Sequence, residues 1–237
     1  MAYKFPPTAM KKKSMFLLSL LFSAMSYGQY ITVEELNKTI EQEIKSKSLD
    51  YNSMANSIMK ELPLDNNGGL TYVSIVETPD KTKDQLYIIL NAWFLQNFDG
   101  KGILINDNEM GCIMAKENFR RISTNGAFTS SNTNYEVDIE PSIRTDIKEG
   151  KIRITCNVPC YELRDITSQV WGKQVFKKDK SRMLAFSESY PYNSKGFEKK
   201  MMSKALVFTH YYTALVVADI ERAVKNGVIG NEADDDW

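Results

Sequence analysis

Histidine and cysteine are scarce in this sequence of 237 residues, which contains one histidine, His210, and three cysteines. A Ser-His-Asp triad would have to combine His210 with a serine presented for attack, and no Gly-x-Ser-x-Gly elbow is present. The few histidines and cysteines also lack the spacing of zinc ligands. No Gly-x-Gly-x-x-Gly loop follows a predicted strand. We therefore expect no catalytic constellation, no bound metal and no cofactor.

The sequence also lacks an apolar run long enough to cross a bilayer, which takes about 20 residues. Its most apolar stretch, Met15 to Phe22, follows Lys11-Lys12-Lys13 and precedes the small residues Ser26 and Gly28. A basic segment, a short apolar segment and small residues at a cleavage site are the three parts of a secretory signal peptide. We predict a signal peptide over residues 1–28, cleaved near Gly28. The protein would then be exported, periplasmic or extracellular, with no transmembrane segment in the mature chain.

Export changes the charge balance of the chain. The whole sequence carries 30 basic and 30 acidic residues, but the predicted signal peptide, with translation starting at Met10, holds lysines and no acids. From Gln29 onward, 26 basic residues face 30 acidic ones, a net charge of about −4. A mildly acidic chain has no summed positive field to hold phosphate backbones. We therefore expect no nucleic-acid partner.

The three cysteines, Cys112, Cys156 and Cys160, form an odd set in a compartment that permits disulfides. Two residues four apart on a strand have alpha carbons about 13 Å apart. A disulfide requires less than about 7 Å, so Cys156 and Cys160 can pair only if the chain turns back at Pro159. One disulfide and no disulfide both remain compatible with the sequence.

Residues 29–69 are predicted to form a helical appendage and linker. Thr32 and Glu35 make a capping box, and Leu36, Ile40 and Ile44 follow at helical spacing. Because this apolar stripe is narrow, the helix either lies on the main domain or pairs with a partner. Residues 46–64 are typical of a weak helix or a linker, which the Asn-Asn-Gly-Gly sequence at 66–69 ends.

Residues 70–227 are predicted to form an α+β domain, in which antiparallel strands are covered by two helices. The predicted elements are a strand at Leu70–Glu77, a helix with an apolar stripe at 86–98, a hairpin at 103–118, a second hairpin joining 135–140 to 151–156 through Glu149-Gly150, and a helix at 197–226. In the second hairpin, Glu136 and Glu140 would face Arg153 and Lys151. Residues 161–193 show no clear periodicity and are predicted to be an irregular insertion. The acidic residues 228–237 are predicted to be a disordered tail.

Several local features, taken in order, resemble a family of exported bacterial domains of unknown function with a TBP-like fold. They are the helix at 86–98 with its central Trp93, the hairpin at 103–119 with Asp107 and Gly111, and the strands at 135–139 and 150–154. The family turn has an aspartate before its glycine, where this chain has Glu149. The resemblance implies a curved antiparallel sheet with two helices packed on one face, and it implies no known activity.

The aromatic residues of the 161–193 segment are the candidate binding surface. Trp171, Tyr190 and Tyr192 stand among lysines and could form an aromatic-basic surface for a glycan or peptide, although their lack of regular spacing favours packing inside the protein. We therefore expect a non-enzymatic binding module of the bacterial envelope, whose partner is an envelope protein or an extracytoplasmic ligand. The alternative is a hydrolase that acts on a glycan through two carboxyl groups about 5 to 10 Å apart.

Overall fold

The computed structural model describes residues 32–60, 62–98, 100–124, 133–171, 174–193 and 198–227. The predicted signal peptide at 1–28 and the predicted tail at 228–237 lie outside them. The helices are α1 (Val33–Ser46), α2 (Tyr51–Met59), α3 (Lys83–Asn97) and α4 (Lys199–Asn226), with a 3-10 turn at Phe186–Glu188. The strands are β1 (Leu70–Glu77), β2 (Ile103–Asp107), β3 (Cys112–Lys116), β4 (Phe119–Thr124), β5 (Thr133–Ile139), β6 (Ser142–Lys148), β7 (Lys151–Val158), β8 (Tyr161–Trp171) and β9 (Gln174–Leu184).

The nine strands form two antiparallel sheets that are halves of one bent sheet. One half has the order β1-β7-β6-β3-β2 and the other β4-β5-β8-β9. Two-residue links carry β3 into β4, β5 into β6 and β7 into β8. The pairing register does not change across the first two links, since Lys116 faces Ser142 and Phe119 faces Ile139. The curved antiparallel sheet predicted from the sequence is therefore confirmed.

Two helices cover one face of this sheet, as predicted. Helix α3 packs against β3 and β6, while the 28-residue α4 contacts β1, β4, β5 and β7 and so spans both halves. The first half of α4 is buried with Phe119, Val137 and Leu163, and its last turns are buried with Trp93 and Ile154. One long helix thus joins two apolar clusters into a single core.

The N-terminal helices belong to the same core. Helix α1 starts with the predicted capping box, in which the Thr32 and Glu35 side chains bind each other's backbone N–H groups. Its stripe of Leu36, Ile40 and Ile44 is buried against α4 and β4. The Tyr211 hydroxyl of α4 donates a hydrogen bond to Glu43 Oε2 at 2.7 Å. Of the two possibilities that the sequence left open, the structure shows this helix lying on the main domain.

The predicted pairing of strand 135–140 with strand 151–156 is wrong. The strand that turns at Glu149-Gly150 into β7 is β6, whereas β5 pairs with β8. Glu136 accordingly lies opposite Arg164, and Arg153 lies opposite Asp146. The alternation of Ile143 and Ile147 on β6 is interrupted by Thr145, which is fully buried and polar, so the sequence pattern concealed this strand.

The prediction that 161–193 is irregular is also wrong for its larger part. Strands β8 and β9 form a hairpin of two eleven-residue strands that stay in register from Tyr161 opposite Leu184 to Trp171 opposite Gln174. The sequence of these two strands does not alternate regularly between apolar and polar residues, which is why the pattern did not reveal them.

The cysteines are all thiols in this structure. Cys112 and Cys156 are buried, Cys160 is half-buried, and none of the three is in a disulfide. Cys156 lies on β7 and Cys160 in the link to β8, and the chain does not turn back at Pro159. Burial raises the pKa of the Cys156 thiol to about 12.

Within the ranges given above, no helix combines the length and apolar character needed to span a membrane.

Candidate functional site

The face of the sheet opposite the helices is called the outer face here. In the edge strand β1, successive residues point alternately toward the core and toward the outer face. Of the outer-face residues, Val73 is 53% exposed and Ile75 is 59% exposed. Large apolar residues scattered singly on a surface are common, but these two are neighbours on one side of one strand. Together they form an apolar strip along the margin of the sheet.

The backbone of β1 is also free along this margin. Thr71 donates its N–H away from the sheet, to the Pro63 carbonyl at 3.1 Å, and Thr78 donates its N–H inward to the Gly150 carbonyl at 2.8 Å. In an antiparallel strand, alternate residues direct both backbone groups to the same neighbour. Val73, Ile75 and Glu77 therefore direct their N–H and C=O groups away from β7. No described strand pairs with them on that side.

A network of charges lies beside the apolar strip. Arg153, directly across from Ile75 on β7, places Nη2 2.6 Å from Asp146 Oδ2, and Arg144 places Nη2 2.7 Å from Asp146 Oδ1. Burial opposes ionisation of Asp146, but the hydrogen bonds from Arg144 and Arg153 outweigh it and hold its pKa below the usual value. Two guanidinium groups thus share one carboxylate, so the strip is bordered by a polar surface that carries a net positive charge.

A pair of carboxylates occupies the outer face of the other half. Arg164 Nη1 lies 3.6 Å from Glu136 Oε2 and 3.7 Å from Asp138 Oδ2, so these two oxygens are at most about 7 Å apart. Burial raises the pKa of Asp138 against the opposing effect of the Arg121 N–H, which donates to Asp138 Oδ1 at 2.7 Å. This upper bound lies within the range of about 5 to 10 Å that separates the two carboxyl groups of a glycan hydrolase.

Arginines cover this carboxylate pair. Arg121 places Nε 3.0 Å from Glu136 Oε1 and stands in the left-handed region of backbone conformation, with φ of 58°. The β4–β5 register shifts at this point, which marks a bulge. Arg164 also pairs with Asp179. With one guanidinium on each side, Glu136 and Asp138 are mostly enclosed by protein, and the arrangement is that of an ion-pair network on a sheet.

The predicted aromatic surface is not assembled as one patch. Trp171 ends β8 at the tip of the hairpin, about 33 Å along the strand from Tyr161 at 3.3 Å per residue. Tyr190 lies beyond the other end of the hairpin and is 5% exposed, with Asn56 hydrogen-bonded to its hydroxyl and Lys199 Nζ 4.8 Å from its ring centre. Tyr192 is half-buried and packs against the same core. Tyr190 is thus a core residue, and the structure does not bring it together with Trp171.

The residues that sequence reasoning missed are Val73 and Ile75. Their β-branched, alternating pattern was interpreted only as a strand, and a single sequence does not show which strand lies at an edge. His210 lies on α4, where burial lowers its pKa to about 4. No group of three or more potential metal ligands comes together among the residues that the structure describes.

Part of this chain is similar to known proteins. A family model described as "Domain of unknown function (DUF4468) with TBP-like fold" matches residues 72–162. A crystal structure of a TBP-like protein from Parabacteroides distasonis is 13% identical, with a TM-score of 0.47, over 70% of this chain and 97% of that one. A DUF4468 family protein from Bacteroides ovatus is also 13% identical, with a TM-score of 0.41, over 71% of this chain and 92% of that one. No curated protein matches the sequence significantly. Residues 72–162 are therefore similar to a domain of unknown function with a TBP-like fold.

Proposed function

We propose that this chain is an exported, non-enzymatic binding module of the bacterial envelope, and that it binds an extended segment of an envelope protein along β1. The observation that carries this proposal is the free margin of β1, where exposed Val73 and Ile75 coincide with unpaired backbone groups. An added strand would gain main-chain hydrogen bonds from three alternate residues and apolar contacts from two side chains.

Comparison of the four outer strands supports β1 as the binding edge. Proteins protect edge strands from pairing with bulges, prolines and charged residues. Strand β2 has a register shift after Ile103, β4 has one after Phe119, and β9 carries Lys177, Lys178 and Lys180. Strand β1 pairs with β7 residue for residue, contains neither proline nor lysine, and has Glu77 at its end as its one charged residue. Among the described edges, β1 is the one without such protection.

The Ile75→Lys variant should lose most of its partner capture while remaining folded. Ile75 is exposed, so the substitution disturbs no core contact, but it places a charge on the strip that the added strand would cover. The matched control is Ile88→Lys on α3, where the replaced side chain is 62% exposed and lies away from β1. The measurement is cross-linked affinity capture from the native cell envelope with the chain beginning at Gln29. Capture that falls equally for both variants, or for neither, would contradict the proposal.

A photo-cross-linking residue at position 75 locates the contact directly. We expect an adduct with one reproducible envelope protein from position 75 and none from position 88. The cross-linked peptide of the partner should lie in an extended segment. Equal adducts from the two positions would mean that the captured protein does not use β1.

The export part of the proposal has a separate readout. The chain recovered from the envelope fraction should begin at Gln29, because the signal peptide would be removed after Gly28. N-terminal sequencing and fractionation measure this. Recovery of the chain from the cytoplasm with residues 10–28 still attached would overturn export and leave the β1 edge to be tested on its own.

A carboxylate-based hydrolase remains the second candidate because Glu136 and Asp138 lie close together and the pKa of Asp138 is raised. If they act on a glycan, Glu136→Gln should lower release of reducing ends from purified cell-wall glycan by about 100-fold or more. Glu77→Gln, which removes an exposed carboxylate at the end of β1, should leave the rate unchanged. Absence of hydrolysis by the unaltered protein would eliminate this candidate.

A further inference from the structure

Of the eight buried side-chain polar atoms that have no hydrogen-bond partner among the described residues, four lie near one another in the interior. They are the hydroxyl oxygens of Tyr72, Tyr161 and Tyr192 and the Nδ1 atom of His210. Nearly all buried polar groups in folded proteins are hydrogen-bonded, because leaving one unpaired costs folding free energy. Four exceptions within one region require an explanation.

These groups come from four different elements and meet beside α4. Tyr72 lies on β1 directly opposite Cys156 of β7, and its ring centre is 6.5 Å from that of His210 on α4. Tyr161 begins β8, and Tyr192 follows the 3-10 turn. Tyr72 and Tyr161 each lie near enough to Tyr192 for the ionisation of one hydroxyl to affect the other. Tyr72 also contacts both apolar clusters of the core.

The groups of this cluster are uncharged at neutral pH. Burial raises the pKa of Tyr72 and Tyr161 well above 10, and it raises the pKa of Tyr192 to about 12. Burial lowers the pKa of His210, so its imidazole is neutral. The cluster therefore offers three hydroxyls that can donate or accept, and one ring nitrogen, without a net charge. An ion bound there would find no countercharge among the four groups.

We propose that Tyr72, Tyr161, Tyr192 and His210 form an internal hydration site, in which ordered water molecules bridge the three hydroxyls and the imidazole. A buried water makes about three hydrogen bonds and occupies polar sites of this kind. Four partners that can all donate or accept meet that requirement. Because Tyr72 touches both apolar clusters, the bridged water would connect the two halves of the core.

The sign of the change in Tm on replacing a tyrosine of this cluster with phenylalanine tests this proposal. If water bridges the hydroxyls, Tyr72→Phe and Tyr161→Phe each remove a partner of a buried water and should lower Tm by about 2–4 °C. If the region is dry, each substitution removes an unsatisfied buried hydroxyl and should leave Tm unchanged or raise it. Tyr87→Phe on α3 is the control, because its hydroxyl bonds Asn106 in an exposed position. We expect the smallest change from the control.

A direct observation of the solvent completes the test. In the full mature chain, nuclear Overhauser effects from long-lived water to the Tyr72 and Tyr161 hydroxyl protons are expected, and a high-resolution crystal structure should show the same water. Raised Tm in both variants, or absence of a long-lived water, would overturn the proposal. Density for an ion or an organic molecule at this position would overturn it as well.

Discussion

Replacing Leu36 with alanine should lower the free energy of unfolding by about 2–5 kcal/mol. Leu36 is fully buried in the cluster that joins α1 to α4 and β4, so its removal leaves a cavity lined by residues of several elements. The variant should unfold at a clearly lower urea concentration in a single transition. Equilibrium unfolding followed by circular dichroism measures the effect.

The control for this prediction is Lys38→Ala, two residues along the same helix on its exposed side. Alanine and lysine have similar helix propensities, so the free energy of unfolding should change by less than about 0.5 kcal/mol. If Leu36→Ala cost no more than Lys38→Ala, α1 would not be docked on α4 in solution. The docked position also means that removing residues 29–64 would uncover the core, so a truncation of that kind cannot isolate a binding surface.

Acidification should destabilise the protein through its single histidine. Burial lowers the pKa of His210 to about 4, whereas the unfolded chain binds a proton near pH 6.5. Between these values the unfolded state binds more protons, so stability is lost as the pH falls from 6.5 to 4. The loss should be about 2–3 kcal/mol, because one pKa unit corresponds to about 1.4 kcal/mol.

The His210→Gln variant isolates this effect because it removes the one imidazole of the chain. Its free energy of unfolding should fall less steeply than that of the unaltered protein over the same pH interval. Carboxylates with lowered pKa values, such as Asp146, lose their contribution as the pH falls below about 5, and because both proteins carry them, their effect cancels in the comparison. Urea unfolding at pH 7, 5.5 and 4 provides the comparison. An imidazole proton signal that titrates near pH 6.5, or parallel pH slopes for the two proteins, would contradict the prediction.

Much of the architecture could be predicted from local sequence signals. Capping boxes at Thr32 and Thr82 mark the starts of α1 and α3, and Asn226-Gly227 marks the end of α4. These signals are local because they depend on hydrogen bonds within one helical turn. The family resemblance also predicts the bent sheet and the packing of helices on one of its faces.

Pairing between strands could not be predicted in the same way. Strand β6 begins directly after Pro141 and buries the polar Thr145, so neither its start nor its pattern resembles a half-buried strand. Strands β8 and β9 lack a regular alternation of apolar and polar residues. Because neither β6 nor β8 is recognisable from its pattern, the sequence predicts that Glu136 faces β7. In the structure it faces Arg164 of β8.

The candidate site was less predictable than the fold. Aromatic residues among lysines predict a binding surface, but Tyr190 packs in the core. Trp171 lies at the opposite end of the β8–β9 hairpin from it. Val73 and Ile75 resemble core residues of a strand, and their exposure depends on which strand ends the sheet. The separation of Trp171 from Tyr190 and the exposure of Val73 and Ile75 both depend on the order in which the strands pair. A single sequence does not contain that order.

The two-residue links between the halves of the sheet restrict how this sequence can change. Ala115 of β3 and Phe119 of β4 both face the helices. The two-residue link Glu117-Asn118 therefore continues the alternation of side chains from β3 into β4 without a change of side. Deleting one residue from this link would turn Phe119 and Ile122 toward solvent and direct Arg120 and Arg121 at the core. Length changes at this link should therefore occur in pairs.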